Sequence, residues 1–492
     1  MSEERVSPSC AIASPTDPRR DRVTAHRRPN FLLIISDDHG YGDHAAETTE
    51  EGLHTPNLER LRAEGVTFTR GYVSAPVCSP SRAGLIAGAH QARWGARWFD
   101  TAHFPTDEIE VGPETLRRAG YRTGYFGKVH YGPDAPGSRS CPERHGFDES
   151  LYGLAAQSMG GLHYLRHSAA AAAEEPEVAR RHGTHPLFDG GEPVDTDTHL
   201  TELFADRAID FIERASSEEE AYFCMVAFNA VHNFTWQLPE EELERHGLPR
   251  KEDFDPAVEE YVDWYDGAIS PNFPEGRAYY LAQLDLMDRH IGRLLDAADE
   301  NTVIVYLTDN GGSTCNYGDN GPLDGTKYTL YEGGIRVPFL VRWPGLGTHG
   351  SSCDALVSAL DLVPTFVAAA AEGRDDGLGE LPRYDGQDLR DVLGGRSPGH
   401  EALYFDTGFQ HAVVRPEAKW RRLTEESAPM REAILRVEHT DIGEGESLVR
   451  FEDGLADEID PAAQVDDPAL LDELRQQFTA WQATTQADMR AG

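Results

Sequence analysis

Two apolar runs in this chain of 492 residues end in the same way, and they constrain its fold more than any other feature. Residues 30–36 read Asn-Phe-Leu-Leu-Ile-Ile-Ser and lead into an Asp-Asp pair. Residues 302–307 read Thr-Val-Ile-Val-Tyr-Leu and lead, after one threonine, into Asp-Asn. A continuous apolar run of this kind is typical of a parallel strand buried on both faces. Because open α/β sheets place their sites beyond the carboxyl ends of such strands, the two runs predict a site.

Four oxygen-bearing side chains would meet there if the two strands are neighbours. Adjacent carboxylates repel each other unless a positive charge lies between them, and hard divalent cations take oxygen ligands. Calcium suits such a site better than zinc, which prefers nitrogen and sulfur, and magnesium is the alternative cation. For each strand end alone, the competing interpretation is a solvated turn. The predicted metal ligands are Asp37, Asp38, Asp309 and Asn310.

A cysteine in a turn-forming sequence is the second candidate feature. Residues 77–82 read Val-Cys-Ser-Pro-Ser-Arg, and the apolar pair Leu85 and Ile86 that follows predicts a helix beginning here. Cys78 would then lie at a helix N-terminus, where backbone N–H groups and the helix dipole favour an anion. Arg82 follows four residues later. For an isolated cysteine, the competing interpretation is a small buried thiol beside a helix cap.

Lysine and histidine side chains follow further predicted strands. Lys128 and His130 come after a strand predicted at residues 121–126, and side chains two positions apart point to the same side of an extended chain. His232 follows another buried strand, and Lys327 lies in a glycine-rich stretch. A structural histidine and a surface loop are the competing interpretations. The chain holds only four lysines, however, so two of them at predicted site positions favour a shared anion.

Alternating strands and amphipathic helices predict an α/β fold. Apolar residues recur at helical spacing over residues 198–215 and 277–298, and a helix is also predicted over residues 355–371. Beyond a glycine-rich and acidic stretch that begins at residue 372, shorter elements predict a small antiparallel sheet with a helix. Those elements are strands at residues 402–405, 411–414 and 447–451 and a helix at residues 468–481.

Three divisions of the chain follow from these patterns. The predicted boundaries give a disordered N-terminal arm at residues 1–29, a large α/β domain at residues 30–371, and a linker with a smaller C-terminal α+β subdomain at residues 372–492. Residues 134–200 are loop-rich and predict an insertion that shapes access to the site.

The charge balance excludes one class of partner. The chain carries 85 acidic and 45 basic side chains, a formal charge of −40, which argues against binding to nucleic acid. Arginines far outnumber lysines, and adaptation to high salt and a GC-rich genome both account for that ratio. None of the six cysteines has Cys-x-x-Cys spacing, which argues against a zinc or redox motif.

Membrane and export signals are not found in the sequence. No stretch approaches the roughly 18 consecutive apolar residues of a membrane-spanning helix. The pair Arg19 and Arg20 has no apolar segment after it, as a twin-arginine signal would require. The sequence as written therefore predicts a cytoplasmic protein without a membrane partner.

Taken in chain order, these positions resemble the signature of the type I sulfatase family, within the alkaline-phosphatase-like superfamily. The resemblance runs from about residue 30 to the C-terminus. It implies a large mixed, mostly parallel sheet flanked by helices, with a smaller C-terminal antiparallel sheet and helix. The matching motifs are Asp37-Asp38, Cys78-x-Pro80-x-Arg82, Lys128-x-His130, His232, Asp309-Asn310-Gly311, Gly325-x-Lys327 and Tyr331-Glu332-Gly333-Gly334-x-Arg336-x-Pro338.

One motif departs from the family pattern. The family continues after the cysteine motif with a Leu-x-Thr-Gly-Arg-like tail, whereas this chain reads Leu-Ile-Ala-Gly-Ala over residues 85–89. Ala87 and Ala89 therefore stand where a threonine and an arginine are usual. The maturation enzyme of the family reads part of this region.

The resemblance also implies a role for each site residue. A separate formylglycine-generating maturation enzyme would oxidise Cys78 to formylglycine, whose hydrate attacks the sulfur of a sulfate ester. The cation would lower the pKa of the attacking hydroxyl. The implied roles are to steady the formylglycine (Arg82), to hold the sulfate (Lys128 and Lys327), to protonate the leaving oxygen (His232), and to orient or deprotonate the diol (His130).

Three functions remain open on the sequence. The first is a sulfatase acting on a sulfated small molecule or, more specifically, on a sulfated carbohydrate, because the Trp and Arg residues at 93–98 with Trp236 and Trp264 suit sugar rings. The second is a phosphonate monoester or phosphodiester hydrolase of the same superfamily. The third is a catalytically silent protein that binds sulfated glycans through an unconverted Cys78.

Overall fold

The fold is described from a computed structural model. It covers residues 28–44, 53–101, 103–133, 135–154, 186–194, 196, 198–232, 234–251, 257–258, 260, 263, 274–372, 378–424, 428–440 and 442–491. Most of the predicted N-terminal arm, the middle of the predicted insertion and Trp264 lie outside these residues.

The centre of the molecule is a mixed sheet of ten described strands. Its order is β11-β2-β10-β9-β1-β8-β4-β5-β6-β7, and strands β9, β1, β8, β4 and β5 run parallel to one another. A second, two-stranded sheet pairs β3 with β12. The strands are β1 (Asn30–Ser36), β2 (Val66–Phe68), β3 (Gly71–Tyr72), β4 (Arg122–Lys128), β5 (Glu149–Gly153), β6 (Leu187–Asp189), β7 (Glu192–Val194), β8 (Tyr222–Ala227), β9 (Thr302–Thr308), β10 (Phe339–Arg342), β11 (Ser351–Cys353) and β12 (Val357–Ser358).

Helices cover both faces of the large sheet. Apolar residues at helical spacing give each long helix one face that packs on the strands. The described helices are α1 (Pro56–Glu64), α2 (Cys78–Ala87), α3 (Gly112–Arg118), α4 (Leu200–Ser217), α5 (Glu240–His246), α6 (Gly276–Ala297), α7 (Glu332–Ile335), α8 (Leu362–Ala371), α9 (Leu389–Leu393), α10 (Ala428–Glu438) and α11 (Pro468–Ala491).

The two faces of β1 explain why its sequence is apolar throughout. Phe31, Leu33 and Ile35 point into a core that includes residues of α2, α3 and α8. Leu32 and Ile34 point into a separate core with residues of α1, α4 and α6. Because successive side chains of a strand alternate between faces, only a continuous apolar run can bury both. The α/β prediction is confirmed.

A smaller antiparallel sheet lies in the C-terminal region, defined here as residues 378–491. Its four strands are β13 (Leu403–Asp406), β14 (Gln410–Val414), β15 (Ala418–Leu423) and β16 (Glu446–Arg450). One face packs on Leu474 and Phe478 of α11. The predicted sheet and helix are therefore confirmed, whereas the domain boundary at residue 372 stays a prediction.

Three described elements of the C-terminal region, α9, α10 and β15, are missing from the sequence prediction. Strand β15 reads Ala-Lys-Trp-Arg-Arg-Leu, and its buried charges at Lys419 and Arg421 hide the usual alternation. Helix α10 follows in a stretch that was not assigned a structure. Charged side chains inside a strand depend on partners elsewhere in the chain, so periodicity does not identify them.

The helix predicted over residues 355–371 was wrong in its first part. The chain there forms strand β12, which pairs with β3, and then a short turn of 3₁₀ helix. The side chain of Asp361 accepts a hydrogen bond from Ser358 N at 2.8 Å, and α8 begins only at Leu362. Pro364 therefore falls in the first turn of α8, where a proline costs no helical hydrogen bond.

Candidate active site

The ends of β1 and β9 lie side by side. The two strands are parallel neighbours, with Ser36 opposite Thr308, so the residues that follow each strand meet at one edge of the sheet. Asp38 adopts a left-handed backbone conformation, with φ of 58°, as the chain turns out of β1. Its backbone N–H donates to Asp309 Oδ1 at 3.4 Å. The structure thus brings the predicted metal ligands together.

The oxygens of this cluster fit a hard cation. One atom each from Asp37, Asp38, Asp309 and Cys78 lie within 4.8 Å of one another, and all four residues are buried. Asn310 Nδ2 donates to Asp38 Oδ1 at 2.6 Å. Its other amide atom, Oδ1, is buried without a hydrogen-bond partner among the described residues. Three carboxylates and one unsatisfied amide oxygen form the donor set expected for calcium or magnesium.

Two lysines lie directly against these carboxylates. Lys128 Nζ forms an ion pair with Asp37, and Lys327 Nζ lies 2.8 Å from Asp38 Oδ1. Burial opposes ionisation of both aspartates, but the attraction of Lys128 for Asp37 and of Lys327 for Asp38 holds each carboxyl pKa below its usual value. Burial also opposes the charge of Lys327, yet Asp38 raises the pKa of that ammonium well above its usual value. The carboxylates are therefore ionised and Lys327 is protonated at neutral pH.

Arg82 joins three parts of the cluster. Its guanidinium donates to Asp309 Oδ2 at 2.7 Å and to the Lys128 carbonyl at 3.0 Å, and it lies 3.5 Å from Asp37 Oδ2. The side chain is 1% exposed. Although burial disfavours the charged form, Asp309 and Asp37 raise the pKa of the guanidinium. Arg82 is thus a fixed positive charge between two strand ends.

Cys78 is the first residue of α2, as predicted from the turn sequence. Its Sγ lies 3.8 Å from Asp37 Oδ1. Burial raises the pKa of this thiol to about 12, and Lys128 and Lys327 offset burial only in part. A helix N-terminus ordinarily lowers a thiol pKa. Here desolvation and the nearby aspartates dominate, so the unmodified cysteine is a neutral thiol and a poor nucleophile.

The two histidines reach the cluster from different elements. His232 Nε2 lies 3.6 Å from Asp38 Oδ2. Burial, aided by Lys327, lowers the pKa of His232. His130 follows the end of β4 in a left-handed conformation, with φ of 45°, so it is not in register with Lys128 along a strand. Burial and the charge of Lys128 lower the pKa of His130 well below 6.5, which leaves a neutral imidazole.

Several residues around the cluster were not predicted. Asn316 Nδ2 donates to Asp38 Oδ2, and Tyr125 Oη donates to the Lys128 carbonyl. Glu438, at the end of α10, accepts hydrogen bonds from the loop that follows β9. Asn316 lies in a short 3₁₀ turn and Glu438 belongs to the C-terminal region. No local pattern marks either residue.

The aromatic residues predicted to line a sugar pocket are mostly buried in the core. Trp98 and Trp236 are 3% and 4% exposed, so neither presents a free ring face. Arg93 donates to Asp385 Oδ2 at 2.6 Å and is held in that ion pair. Of this set, Arg93, Trp94 and Arg97 keep partial exposure within the described residues.

The mixed sheet with helices on both faces and the small C-terminal sheet form an alkaline-phosphatase-like fold. More narrowly, the chain belongs to the sulfatase family, whose family model matches residues 29–372. Human arylsulfatase G is 32% identical over 419 residues, which cover 77% of this chain and 72% of that protein. Human N-acetylgalactosamine-6-sulfatase is 31% identical over 381 residues, covering 73% of this chain and 66% of that protein. The chain is therefore a sulfuric ester hydrolase.

Solved structures share the same fold. The crystal structure of Ps i-CgsB in complex with k-i-k-neocarrahexaose has a TM-score of 0.72 and 23% identity, covering 92% of this chain and 93% of that one. The phosphonate monoester hydrolase of Agrobacterium radiobacter has a TM-score of 0.56 and 18% identity, covering 94% of this chain and 96% of that one. At these identities the likeness concerns the fold alone.

None of the described helices is long and apolar enough to cross a membrane.

Proposed function

We propose that this sulfatase hydrolyses a sulfate ester on a carbohydrate, with formylglycine made from Cys78 and with a calcium ion as cofactors. The observation that carries the proposal is the position of Cys78 Sγ, 3.8 Å from Asp37 Oδ1 in a cluster of three buried aspartates. A cysteine with a pKa near 12 has no evident chemistry of its own there. Oxidation would replace it with an oxygen nucleophile at the same place.

The proposed metal ligands are the four residues at the ends of β1 and β9. Asn310 supports this assignment most directly, because its buried Oδ1 lacks a hydrogen-bond donor among the described residues. Bound there, calcium would supply positive charge that polarises a sulfate oxygen and promotes loss of a proton from the nucleophile. Magnesium remains the alternative, since both cations prefer oxygen ligands.

The proposed sulfate contacts are Lys128 and Lys327. Each ammonium is buried beside an aspartate, where little water screens its interactions. Arg82 is proposed to steady the residue at position 78, because its hydrogen bonds to Asp309 and the Lys128 carbonyl hold α2 against both strand ends. These cations favour an anionic substrate at the edge of the sheet.

The two histidines are proposed to move protons. His130 has a pKa well below 6.5 and is neutral at pH 7, which suits an acceptor for the proton of the nucleophile. His232 is the proposed donor to the leaving alcohol oxygen. Its lowered pKa makes the imidazolium a stronger acid when it is formed.

The carbohydrate part of the proposal rests on relatives. One similar protein is named N-acetylgalactosamine-6-sulfatase, and one structural neighbour is in complex with k-i-k-neocarrahexaose. The proposed reaction partners are therefore a sulfated carbohydrate and a formylglycine-generating enzyme.

Ala87 and Ala89 pack with Val111 in a small apolar cluster, which gives the alanines a structural place in the fold.

Peptide mass spectrometry combined with substrate assays tests the proposal. The chain would be produced together with a formylglycine-generating enzyme, and the peptide containing Cys78 would be analysed for the mass change of oxidation. Converted protein with calcium should release sulfate from sulfated mono- and disaccharides, whereas Cys78→Ala protein should not. Converted protein that cleaved aryl phosphonates but no sulfate ester would contradict it. Absence of conversion would favour the silent glycan-binding alternative.

A further inference from the structure

Glu438 is a buried carboxylate that crosses from the C-terminal region to the active-site loops. It is the last residue of α10 and has no exposed surface. Its Oε1 accepts from Ser313 Oγ at 2.6 Å. Its Oε2 accepts from Thr314 N at 2.7 Å, from Thr314 Oγ1 at 2.9 Å and from Thr326 Oγ1 at 3.2 Å. One side chain thus satisfies four donors on two separate loops.

Both loops carry residues of the site. The first follows β9 and continues from Asn310 through Ser313 to Asn316, which donates to Asp38. The second carries Lys327, one residue after Thr326. The two loops also contact each other, because Lys327 N donates to the Gly312 carbonyl at 3.1 Å. The hydroxyl of Thr326 shares its single hydrogen between that carbonyl, at 2.7 Å, and Glu438 Oε2, at 3.2 Å. Glu438 therefore links the two loops at a point one residue away from Lys327, the proposed sulfate contact.

Burial of the Glu438 carboxylate costs free energy, which the hydrogen bonds from its donors offset. Burial raises the pKa of Glu438, because the carboxylate is removed from water, and the hydrogen bonds from Ser313 and Thr314 oppose that rise. Among the described residues, Glu438 forms no ion pair, although the more distant charge of Lys327 also lowers its pKa and that of Asp38 raises it. A carboxyl group placed only to anchor α10 would gain more from an arginine or lysine partner.

We propose that Glu438 is a positioning residue for catalysis, which holds Lys327 and Asn316 against Asp38 by pinning the two loops together. The active site is then complete only when α10 of the C-terminal region is docked. This inference rests on the proposed role of Lys327 as a sulfate contact. Glu438 itself touches neither substrate nor the proposed metal ligands.

A second buried glutamate of the same region provides the matched control. Glu458 is 5% exposed, and its side chain also crosses to the main domain. It contacts Lys419 Nζ at 2.9 Å and the backbone N–H of Glu332. Loss of Glu458 should destabilise the junction between the regions without releasing the loop that holds Lys327.

The experiment compares Glu438→Ala, Glu438→Gln, Ser313→Ala and Glu458→Ala in the converted, calcium-loaded enzyme. Glu438→Ala should lower kcat by about 10- to 100-fold, since displacement of a catalytic group from a distant mutation costs up to that much. Glu438→Gln should retain most activity, because its carbonyl can occupy the three-donor position while its NH₂ donates to Ser313 Oγ. Ser313→Ala, which removes one of the donors, should lower kcat by about fivefold. Glu458→Ala should lower the thermal midpoint but leave kcat unchanged.

Hydrogen–deuterium exchange on the unconverted proteins gives a readout that needs no turnover. Exchange over residues 311–330 should rise in Glu438→Ala and stay at the wild-type level in Glu438→Gln and Glu458→Ala. Unchanged exchange in Glu438→Ala, or an equal loss of kcat in Glu458→Ala, would overturn the inference. If Glu438→Ala does not fold, Ser313→Ala takes its place in the comparison. Wild-type kcat together with unchanged exchange in Ser313→Ala would then overturn the inference. A wild-type enzyme that cleaves no sulfate ester would defeat the proposed function, while the exchange comparison would still decide the role of Glu438.

Discussion

Lys327 Nζ lies 2.8 Å from one carboxylate oxygen of Asp38 and 2.9 Å from the other, although the two residues are 289 positions apart. Both side chains are almost fully buried. The contact joins the glycine-rich loop to the end of β1 and places a permanent positive charge beside the proposed metal ligands. Attraction between buried charges is strong because little water screens it.

Replacing Lys327 with alanine should remove a proposed sulfate contact. We expect kcat/KM for a sulfate ester to fall by about 100- to 1000-fold, the scale seen when one donor to a developing charge is deleted. Lys251→Ala is the control, because Lys251 pairs with Glu275 in a partly exposed contact. Initial-rate kinetics with both variants check this expectation, and full activity in Lys327→Ala would refute the assignment.

The amide oxygen of Asn310 should contribute directly to metal affinity. Asn310→Ala should raise the calcium dissociation constant by about 10- to 100-fold, as loss of groups that support a metal site typically does. Isothermal titration calorimetry measures the constant without turnover. Asn301→Ala is the control, since Asn301 precedes β9 at the opposite end of the strand. Equal calcium affinity in wild type and Asn310→Ala would contradict the proposed ligand set.

Chelation of the metal should abolish activity, and added calcium should restore it.

Removal of Arg82 should leave two buried aspartates without their guanidinium. We expect Arg82→Ala to lower the free energy of unfolding by about 3–5 kcal/mol, as breaking a buried ion pair commonly does. Calcium should recover part of the loss, because the ion replaces the missing charge. Urea unfolding with and without calcium gives both values. Arg396→Ala, at an exposed pair with Asp391, should change stability by less than about 1 kcal/mol.

Unconverted Cys78 should resist alkylation. Its thiol is 2% exposed and burial raises its pKa to about 12, so the thiolate is almost absent at neutral pH. Iodoacetamide at about pH 7.5 should therefore leave Cys78 unlabelled in the folded protein and label it after unfolding in urea. Mass spectrometry of the digested protein measures the labelled fraction. Rapid labelling in the folded state would contradict the neutral-thiol assignment.

His400 should make stability depend on pH. His400 Nε2 lies 2.7 Å from Asp361 Oδ1, and although burial opposes the charge, Asp361 raises the pKa of His400 above 6.5. A raised histidine pKa stabilises the fold fully below the unfolded value near 6.5, and that contribution is lost as pH rises through the folded pKa. The free energy of unfolding should therefore fall, as pH rises above about 6, more steeply in wild type than in His400→Gln. Parallel profiles for the two proteins would contradict the assignment.

The local sequence was enough to predict the two strands that precede the proposed metal ligands. The apolar runs of β1 and β9 require burial on both faces, and the polar residues after them can lie only at the sheet edge. The boundary of α8 was not predictable in the same way. Its start depends on pairing of β12 with β3, residues far apart in the chain, and on the side chain of Asp361.

The sequence by itself determined the α/β class, the acidic strand ends and the cysteine at the start of α2, because each depends on a short contiguous pattern. Tertiary structure alone decided that Asn316 contacts Asp38, that Glu438 binds the loop after β9, and that Trp98 and Trp236 are buried. It also decided that the Cys78 thiol is neutral, since its pKa reflects desolvation and aspartates contributed by β1 and β9. Burial and charge at a site come from distant parts of the chain, and no local pattern encodes them.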